Sequence, residues 1–407
     1  MKQEATEASP TADERAEMLE RIRLRKMARS SHAYVRGSTQ QFYEALAALG
    51  GDQLPDGPPV WICGDCHVGN LGPVADASGR LRIQIRDLDQ TVIGNPAHDL
   101  VRLALSLASA ARGSNLPGVT TARMLEAIMD GYESAFDHDF DEAASGIEQP
   151  ASVRFVMRKA SKRTWKHLAR ERIGDTRPNI PLGKRFWRTS ADERAAITSL
   201  FADHTIARLA TMLRSREDDA TVEVVDAAYW MKGCSSLGKL RFAVLLSVSS
   251  KGSGNGDLCL MDVKEAVPAA APASPEARMP DDAATRVLEG ARSLSPFLGE
   301  RMRAAHMLER PVFIRELLPQ DLKLEIERLS EKEATKAARF LASVVGFAHV
   351  RQMDSATRSA WRVELGKNRS KSLDAPSWLW SSVVELLVNH EGEYLEHCRR
   401  YAIDTTG

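Results

Sequence analysis

No stretch of this chain stays apolar for anything near the roughly 20 residues that a bilayer-spanning helix needs. Charge of one sign is not in surplus either: 55 Lys and Arg stand against 55 Asp and Glu. That balance argues against a general nucleic-acid binder, which carries a basic excess. The opening MKQEATEASPTADERAE is polar and acidic and has no apolar core of a secretory signal, so a cytoplasmic location is expected. Cysteine is scarce and odd in number (Cys63, Cys66, Cys234, Cys259, Cys398), scattered over 407 residues, which is not a disulfide framework. Cys63 and Cys66 have the spacing of a redox pair or half a zinc site. No second CxxC and no nearby His pair completes such a site, so they are read as incidental small residues. Internal repeats are also missing.

What is present divides unevenly. Residues 1–12 read as a disordered tail, and 13–220 as a helix-rich large lobe that contains a hairpin. Residues 221–318 read as a small antiparallel sheet lobe with a low-complexity linker at about 267–282, and 319–407 as helices returning to the large lobe. Within the first part, PPVWIC is a short buried strand. In LRIQIRDLD, Leu81, Ile83 and Ile85 alternate with Arg82, Gln84 and Arg86 as in a half-buried strand. Asn95-Pro96 opens a helix whose Leu100, Leu103, Ala104, Leu107 and Ala111 form an apolar stripe. In the second part, AAYWMKGCSSLGKLRFAVLLSVSS reads as strand, glycine-bounded turn and strand, and a helix is expected over 283–308. The fold class is therefore α+β.

Two segments concentrate chemistry. The loop GDCHVGN offers Asp65 and Asn70 five residues apart, and RDLD offers Asp87 and Asp89 at the far end of the hairpin. Phosphoryl transfer needs a carboxylate beside the acceptor hydroxyl and metal ions on the phosphates. Magnesium takes hard oxygens from carboxylates and amides. Asp65 would take or orient the acceptor proton, while Asn70 and Asp87, with Asp89 beside it, would hold Mg2+. His67 is a further candidate for phosphate or substrate. Ordinary turn chemistry accounts for any one of these residues alone, but less readily for three converging on one hairpin end.

The pair of segments resembles the aminoglycoside- and choline-phosphotransferase branch of the protein-kinase-like superfamily. There the catalytic loop reads HGDxHxxN and a later strand IDFxxxxxGDPxxDLA. Here the corresponding stretches are CGDCHVGN and RDLDQTVIGNPAHDLVRLA, so Asp87, rather than Asp89, falls at the metal aspartate and Asp99 at the last. Cys63 stands where that branch has histidine. Asp99, near its helix start, is read as complementing the helix dipole.

A kinase also needs a covering loop and a phosphate lysine, and here candidates for both lie downstream. KGCSSLGK supplies Gly233, Ser235, Ser236 and Gly238; DVKEA supplies Lys264; Glu289 on the next helix would pair with it. Arg315 and Glu316, in FIRELLP, would belong to the inter-lobe linker whose backbone bonds adenine. Catalytic loop first and nucleotide lobe second is the order of a circularly permuted two-lobed kinase-like fold. From KMARSSHAYVRG, whose Arg36 is a further candidate for phosphate or substrate, to the C-terminal helices, the run of segments resembles the bacterial family known as domain of unknown function 2252. Against that pattern, the middle glycine of the covering loop is Ser235, and NDFDE has become RDLDQ.

The implied function is ATP- and Mg2+-dependent transfer to a small molecule or protein hydroxyl. A nucleotide-binding pseudokinase and a two-metal phosphoesterase are the alternatives; the latter needs further ligand motifs such as GNH downstream, where this sequence has NPAHD and isolated histidines such as His306 and His349. The basic stretch 154–172, with Trp165 inside it, reads as a solvated helix face rather than a nucleic-acid site.

Overall fold

The computed structural model describes residues 11–50, 54–114, 116–137, 147–163, 179–213, 216–233, 237–250, 257–320, 322, 330–367 and 375–401. Three helices open it: α1 (Ala12–Met27), α2 (Ser31–Val35) and α3 (Thr39–Ala48). Thr11 and Glu14 form a capping box at α1, and Ser30 caps α2. β1 (Val60–Ile62) leads into the polar loop, which closes in a single 3-10 turn at Val68–Asn70. The hairpin β2 (Leu71–Ala75) and β3 (Leu81–Ile85) follows, and β4 (Val92–Gly94) returns antiparallel to β1. Both ends of the segment 86–91 are thereby fixed: one by β3 paired to β2, the other by β4 paired to β1. That is why the loop and the aspartate segment lie together.

Asn95 Oδ1 accepts the Ala97 N–H at the start of α4 (Ala97–Gly113), a helix almost wholly buried. With α5 (Gly118–Ser134), α6 (Ala151–Ser161) and the late helices α11 (Glu331–Val350), α12 (Ser355–Gly366) and α13 (Ser377–Tyr401), it forms most of one core. Between α6 and α11 the chain builds a six-stranded antiparallel sheet of order β5-β6-β7-β8-β10-β9. Its strands are β5 (Phe186–Arg188), β6 (Thr221–Trp230), β7 (Arg241–Ser249), β8 (Asp257–Glu265), β9 (Met302–Met307) and β10 (Arg310–Glu316). β7 shows the period of two that builds it. Phe242, Val244, Leu246 and Val248 enter one apolar cluster, and Ala243 and Leu245 the cluster on the opposite face. The first face is covered by Ile197, Leu200 and Phe201 of α7 (Ala191–Ala202), by Ile206 of α8 (His204–Ala207), and by Leu19 of α1.

The α+β class stands, with antiparallel sheets throughout. Three local expectations do not. The helix expected over 283–308 is α9 (Ala283–Leu294), then a short α10 (Pro296–Glu300), then strand β9. Pro296 disfavours helix at Ser295 before it, and Leu308 and Glu309, both with positive φ, turn β9 into β10. Trp187 and Phe186 of β5 join the sheet although the stretch before 220 read as helix. The stretch 267–282 is no free linker: Ala270 N–H bonds Gln90 Oε1, Ser274 N–H bonds the Ile93 carbonyl, and Ala271 is buried against the loop. Val153, Val156 and Ala160 of α6 are buried while Arg154, Arg158, Lys159 and Lys162 face solvent; Trp165 and the rest of the basic run lie outside the described residues. Among the described residues, no helix is long and apolar enough to cross a membrane.

Candidate functional site

One face of α4 holds the polar loop. Asp99, Arg102 and Ser106 recur at i, i+3 and i+7 on a helix that is otherwise apolar there. Asp99 accepts the N–H groups of Cys63 (2.7 Å) and Gly64 (3.0 Å), and Ser106 Oγ accepts that of Val68 (3.0 Å). Arg102 Nε donates to Asp65 Oδ1 at 2.9 Å. Asp99 is itself steadied by His349 Nε2 at 3.1 Å, whose Nδ1 meets the Tyr132 hydroxyl, which accepts from Trp361 Nε1. Gly64 has φ +73°, and a Cβ there would stand 2.1 Å from the Gln90 carbonyl oxygen, so only glycine lets the loop press against the aspartate segment.

The loop then brings its candidates inward. Asn70 Nδ2 donates to the Asp65 carbonyl at 2.9 Å, leaving Oδ1 without a partner among the described residues, and the Asn70 carbonyl takes the Arg86 N–H at 2.7 Å. Asn70 is thus stitched to the residue preceding Asp87. From the sheet, Lys264 of β8 reaches both aspartates: Nζ lies 3.2 Å from Asp87 Oδ1 and 3.1 Å from Asp89 Oδ2. Lys264 is 2 % exposed, whereas the Asp87 side chain is 35 % exposed. Beneath them Arg241 grips Asp262 through Nε and Nη2 (2.9 and 2.6 Å), and Arg315 spans the Arg86 carbonyl and Asp262.

These charges set the protonation states. Burial pushes Asp87 up, but Lys264, Arg315 and Arg241 outweigh it and hold its carboxyl far below the usual range. Asp89, more deeply buried and facing the Asp87 charge, is raised despite Lys264. Burial alone would lower Lys264; the two aspartates reverse that and raise it. Burial likewise raises Asp65, with Arg102 pulling the other way. His67 is driven well below its ordinary value by burial and by Arg102 and Arg36, so it is neutral at pH 7; its Nδ1 accepts the Gly69 N–H.

Magnesium suits this donor set: Asp87 and Asp89 carboxylates and a spare Asn70 amide oxygen are hard ligands on converging segments.

A family model matches residues 15–400 of the chain. The chain belongs to the family described as uncharacterized protein conserved in bacteria, DUF2252. No curated protein and no solved structure matches it.

For this DUF2252 member, Asp65, Asn70, Asp87, Asp89, His67 and Lys264 come together, and Arg36 joins them beside Gly69. Gly233 and Gly238, both at positive φ, bound the turn from β6 to β7; Ser235 and Ser236 lie outside the described residues. Glu289 does not pair with Lys264, whose charge is met by Asp87 and Asp89; the inward-facing residue of α9 is instead Arg286, which donates to the Thr91, Asp89 and Val267 carbonyls. Nor do Arg315 and Glu316 lie in a free linker. They are ladder residues of β10, opposite Asp262 and Met261, and Glu316 is ion-paired with Arg216 at 2.9 Å. Asp99 lies in the first turn of α4, as expected, and also accepts the loop's N–H groups. The Cys63 and Cys66 thiols lie within 4.8 Å of each other and of Asp99, but all three are buried and both Asp99 oxygens already accept N–H groups. Arg102, Ser106, Arg241 and Arg286 escaped notice in the sequence, although polar residues at i, i+3 and i+7 within α4's apolar run marked the first two.

Proposed function

We propose that this DUF2252 member is an ATP- and Mg2+-dependent phosphotransferase of permuted, kinase-like organisation, acting on a hydroxyl of a small molecule or protein. The observation that carries the reading is Lys264. It sits on the third strand of a run that begins with a glycine-bounded hairpin, is followed by α9, and touches Asp87, 177 residues away in the chain, and Asp89 beside it. A strand lysine meeting a metal aspartate beneath a glycine loop is the arrangement by which kinases hold nucleotide phosphates.

Asn70, Asp87 and Asp89 would hold the metal, which when bound supplies positive charge against the phosphates. Lys264 neutralises the aspartates in its absence and is placed to steady phosphate oxygens. Asp65 keeps Oδ1 on Arg102, and Oδ2, 3.8 Å from His67 Nε2, would meet the acceptor hydroxyl; its raised pKa favours taking a proton. Asp99 and Ser106 hold the loop so that these positions do not drift.

One observation favours a second reading, nucleotide binding without transfer: the Arg102 ion pair occupies Asp65. A two-metal phosphoesterase fits less well, because His349 is committed to Asp99 and Tyr132 and His306 lies 3.1 Å from Asp282, outside this cluster. Thermal shift with Mg·ATP, compared with Asp87→Ala and Lys264→Ala, tests the site: stabilisation of the wild type alone supports it, and equal responses refute it. ATP turnover abolished by Asp65→Ala separates transfer from binding. Manganese-dependent hydrolysis of a phosphate ester without nucleotide would favour the phosphoesterase.

A further inference from the structure

Residues 12–38 touch both the sheet side and the helical side of the molecule. On the sheet side, Arg15 of α1 pairs with Glu193 at 2.6 Å and stacks over Tyr229, and Lys26 Nζ donates to the Gly233 carbonyl at the glycine turn (3.3 Å). On the helical side, α2 is held by Arg102 Nη2 on the Val35 carbonyl (2.6 Å) and by Ser31 Oγ against Ser109 Oγ (3.1 Å). Arg36 follows directly. Its Nε would lie 3.4 Å from a Cβ on Gly69, and His67 Cε1 would lie 3.1 Å from the same point, so Arg36 rests against the catalytic loop where the absent side chain leaves room.

Arg36 differs from the other cations here. Arg102 has Asp65 and Val35, Lys264 has Asp87 and Asp89, and Arg315 and Arg286 have carbonyls. The Arg36 guanidinium has no acceptor among the described residues, and its Nε is shut off from water. Arg102 Nη1, also near His67, is a second donor without an acceptor. A shielded guanidinium donor left unmet is costly unless something else supplies the acceptor. His67, neutral and with Nδ1 taken by Gly69, supplies no negative charge. A planar fork with open donors suits an oxyanion.

We propose that Arg36 binds an oxyanion, phosphate or carboxylate, carried by the acceptor substrate, and so presents the acceptor hydroxyl to Asp65; this rests on the phosphotransferase reading above. Arg36 lies on the Gly69 and His67 side of the loop, and the Val35 carbonyl just before it shares Arg102 with Asp65, whereas Lys264 and the aspartates would serve the nucleotide. The acceptor is thus an anionic metabolite or an acidic or phosphorylated side-chain neighbourhood, not a neutral alcohol.

The test is calorimetric titration of inorganic phosphate, and separately acetate, into protein saturated with Mg·AMP-PNP, for wild type and Arg36→Gln. Phosphate or acetate should bind the wild type, and Arg36→Gln should weaken it at least about tenfold. Mg·AMP-PNP affinity should stay within about twofold, since an acceptor-side residue does not hold the nucleotide. Arg36→Gln removes no native hydrogen bond, so its melting temperature without ligand should match the wild type; Arg36→Lys, retaining charge without the fork, should fall between. Equal anion affinity in both proteins, or no anion binding by the wild type, overturns the proposal. So does binding of phosphate that AMP-PNP abolishes, because Arg36 would then hold the nucleotide's terminal phosphate. Arg36-dependent phosphate binding in a protein that binds no nucleotide keeps the anion site and overturns the phosphotransferase reading instead.

Discussion

Replacing Lys264 by Met keeps an aliphatic side chain opposite Phe313 on the neighbouring strand and removes the charge that joins Asp87 to Asp89 and lies over the Phe313 ring. Removing one partner of a buried pair costs ~3–5 kcal/mol, because the other charge is stranded. Asp87 is one-third exposed and regains water, so its share falls toward the ~0–1 kcal/mol of surface pairs. Asp89, with a side chain only 10 % exposed, carries most of the loss, and about 3 kcal/mol is expected. At about 2.1 cal/mol/K per residue, 407 residues unfold with an entropy of roughly 0.85 kcal/mol/K, so melting should fall by about 3–4 °C at pH 7. The sign with pH is specific. Lys264 is raised, so its contribution is complete below the unfolded lysine value of about 10.4 and is lost only as pH climbs through the higher folded value. Asp87 is lowered, so its contribution is complete above the unfolded value of about 3.9 and is lost as pH falls toward its folded value. In the wild type the Lys264 and Asp87 contributions are therefore level between about pH 5 and 9, one unit inside both limits, whereas Asp89, whose carboxyl is raised, opposes folding increasingly as pH climbs above its unfolded value of about 3.9. In Lys264→Met, Asp89 loses the ammonium that pulls its carboxyl down and is raised further by burial and by Asp87, so acidification from pH 7 should recover part of the lost melting temperature. Magnesium should likewise raise the variant's melting point more than the wild type's, since two carboxylates without a competing ammonium attract it. Differential scanning calorimetry over that pH range, with and without 10 mM Mg2+ (roughly physiological excess over such sites), reads all of this. A variant as stable as the wild type, flat with pH and indifferent to magnesium, refutes the convergence of Asp87 and Asp89 on Lys264.

Asp99→Ala strands the Cys63 and Gly64 N–H groups and should cost ~2–6 kcal/mol, at ~1–3 for each buried donor, with Asp99→Asn losing less; melting within 1 °C of wild type, about the resolution of the comparison, contradicts the anchor role. Gly64→Ala forces a Cβ to 2.1 Å from the Gln90 oxygen at positive φ, so it should loosen residues 63–70 in hydrogen exchange, and unchanged protection speaks against the contact. The hydrogen bond with Cys66, then burial, raises the Cys63 thiol; Cys66, which its bond to Cys63 pulls down, is nonetheless raised by burial and the nearby Asp99 and Asp65 charges. Alkylation at pH 8, about half a unit under a free thiol's pKa, should therefore modify half-exposed Cys398 well before either, and peptide mapping that finds Cys63 or Cys66 first contradicts their packing.

Local pattern reveals much of this architecture. Alternation in LRIQI and RFAVLLSVS gives strands β3 and β7, the Asn95-Pro96 pair starts α4, and the convergence of Asp65, Asn70 and Asp87 follows from a hairpin between two short strands. Long-range pairings are less visible. Glu289 and Arg286 are three apart on α9, and only the rotation of that helix against Thr91 and Asp89 decides which faces inward. The edge strand β9 is hidden because Met302–Met307 has no clear alternation and forms through β10 and the turn at Leu308–Glu309. The alanine- and proline-rich 267–282 looks like a linker by composition, yet its backbone N–H groups find Gln90 and the Ile93 carbonyl.

The most direct test is calorimetric titration of ATP into the wild type and Asp87→Ala, each with magnesium and with EDTA. The wild type should bind ATP more tightly with magnesium, and Asp87→Ala should lose that dependence. Binding of equal strength in all four titrations, or none in any, would contradict this.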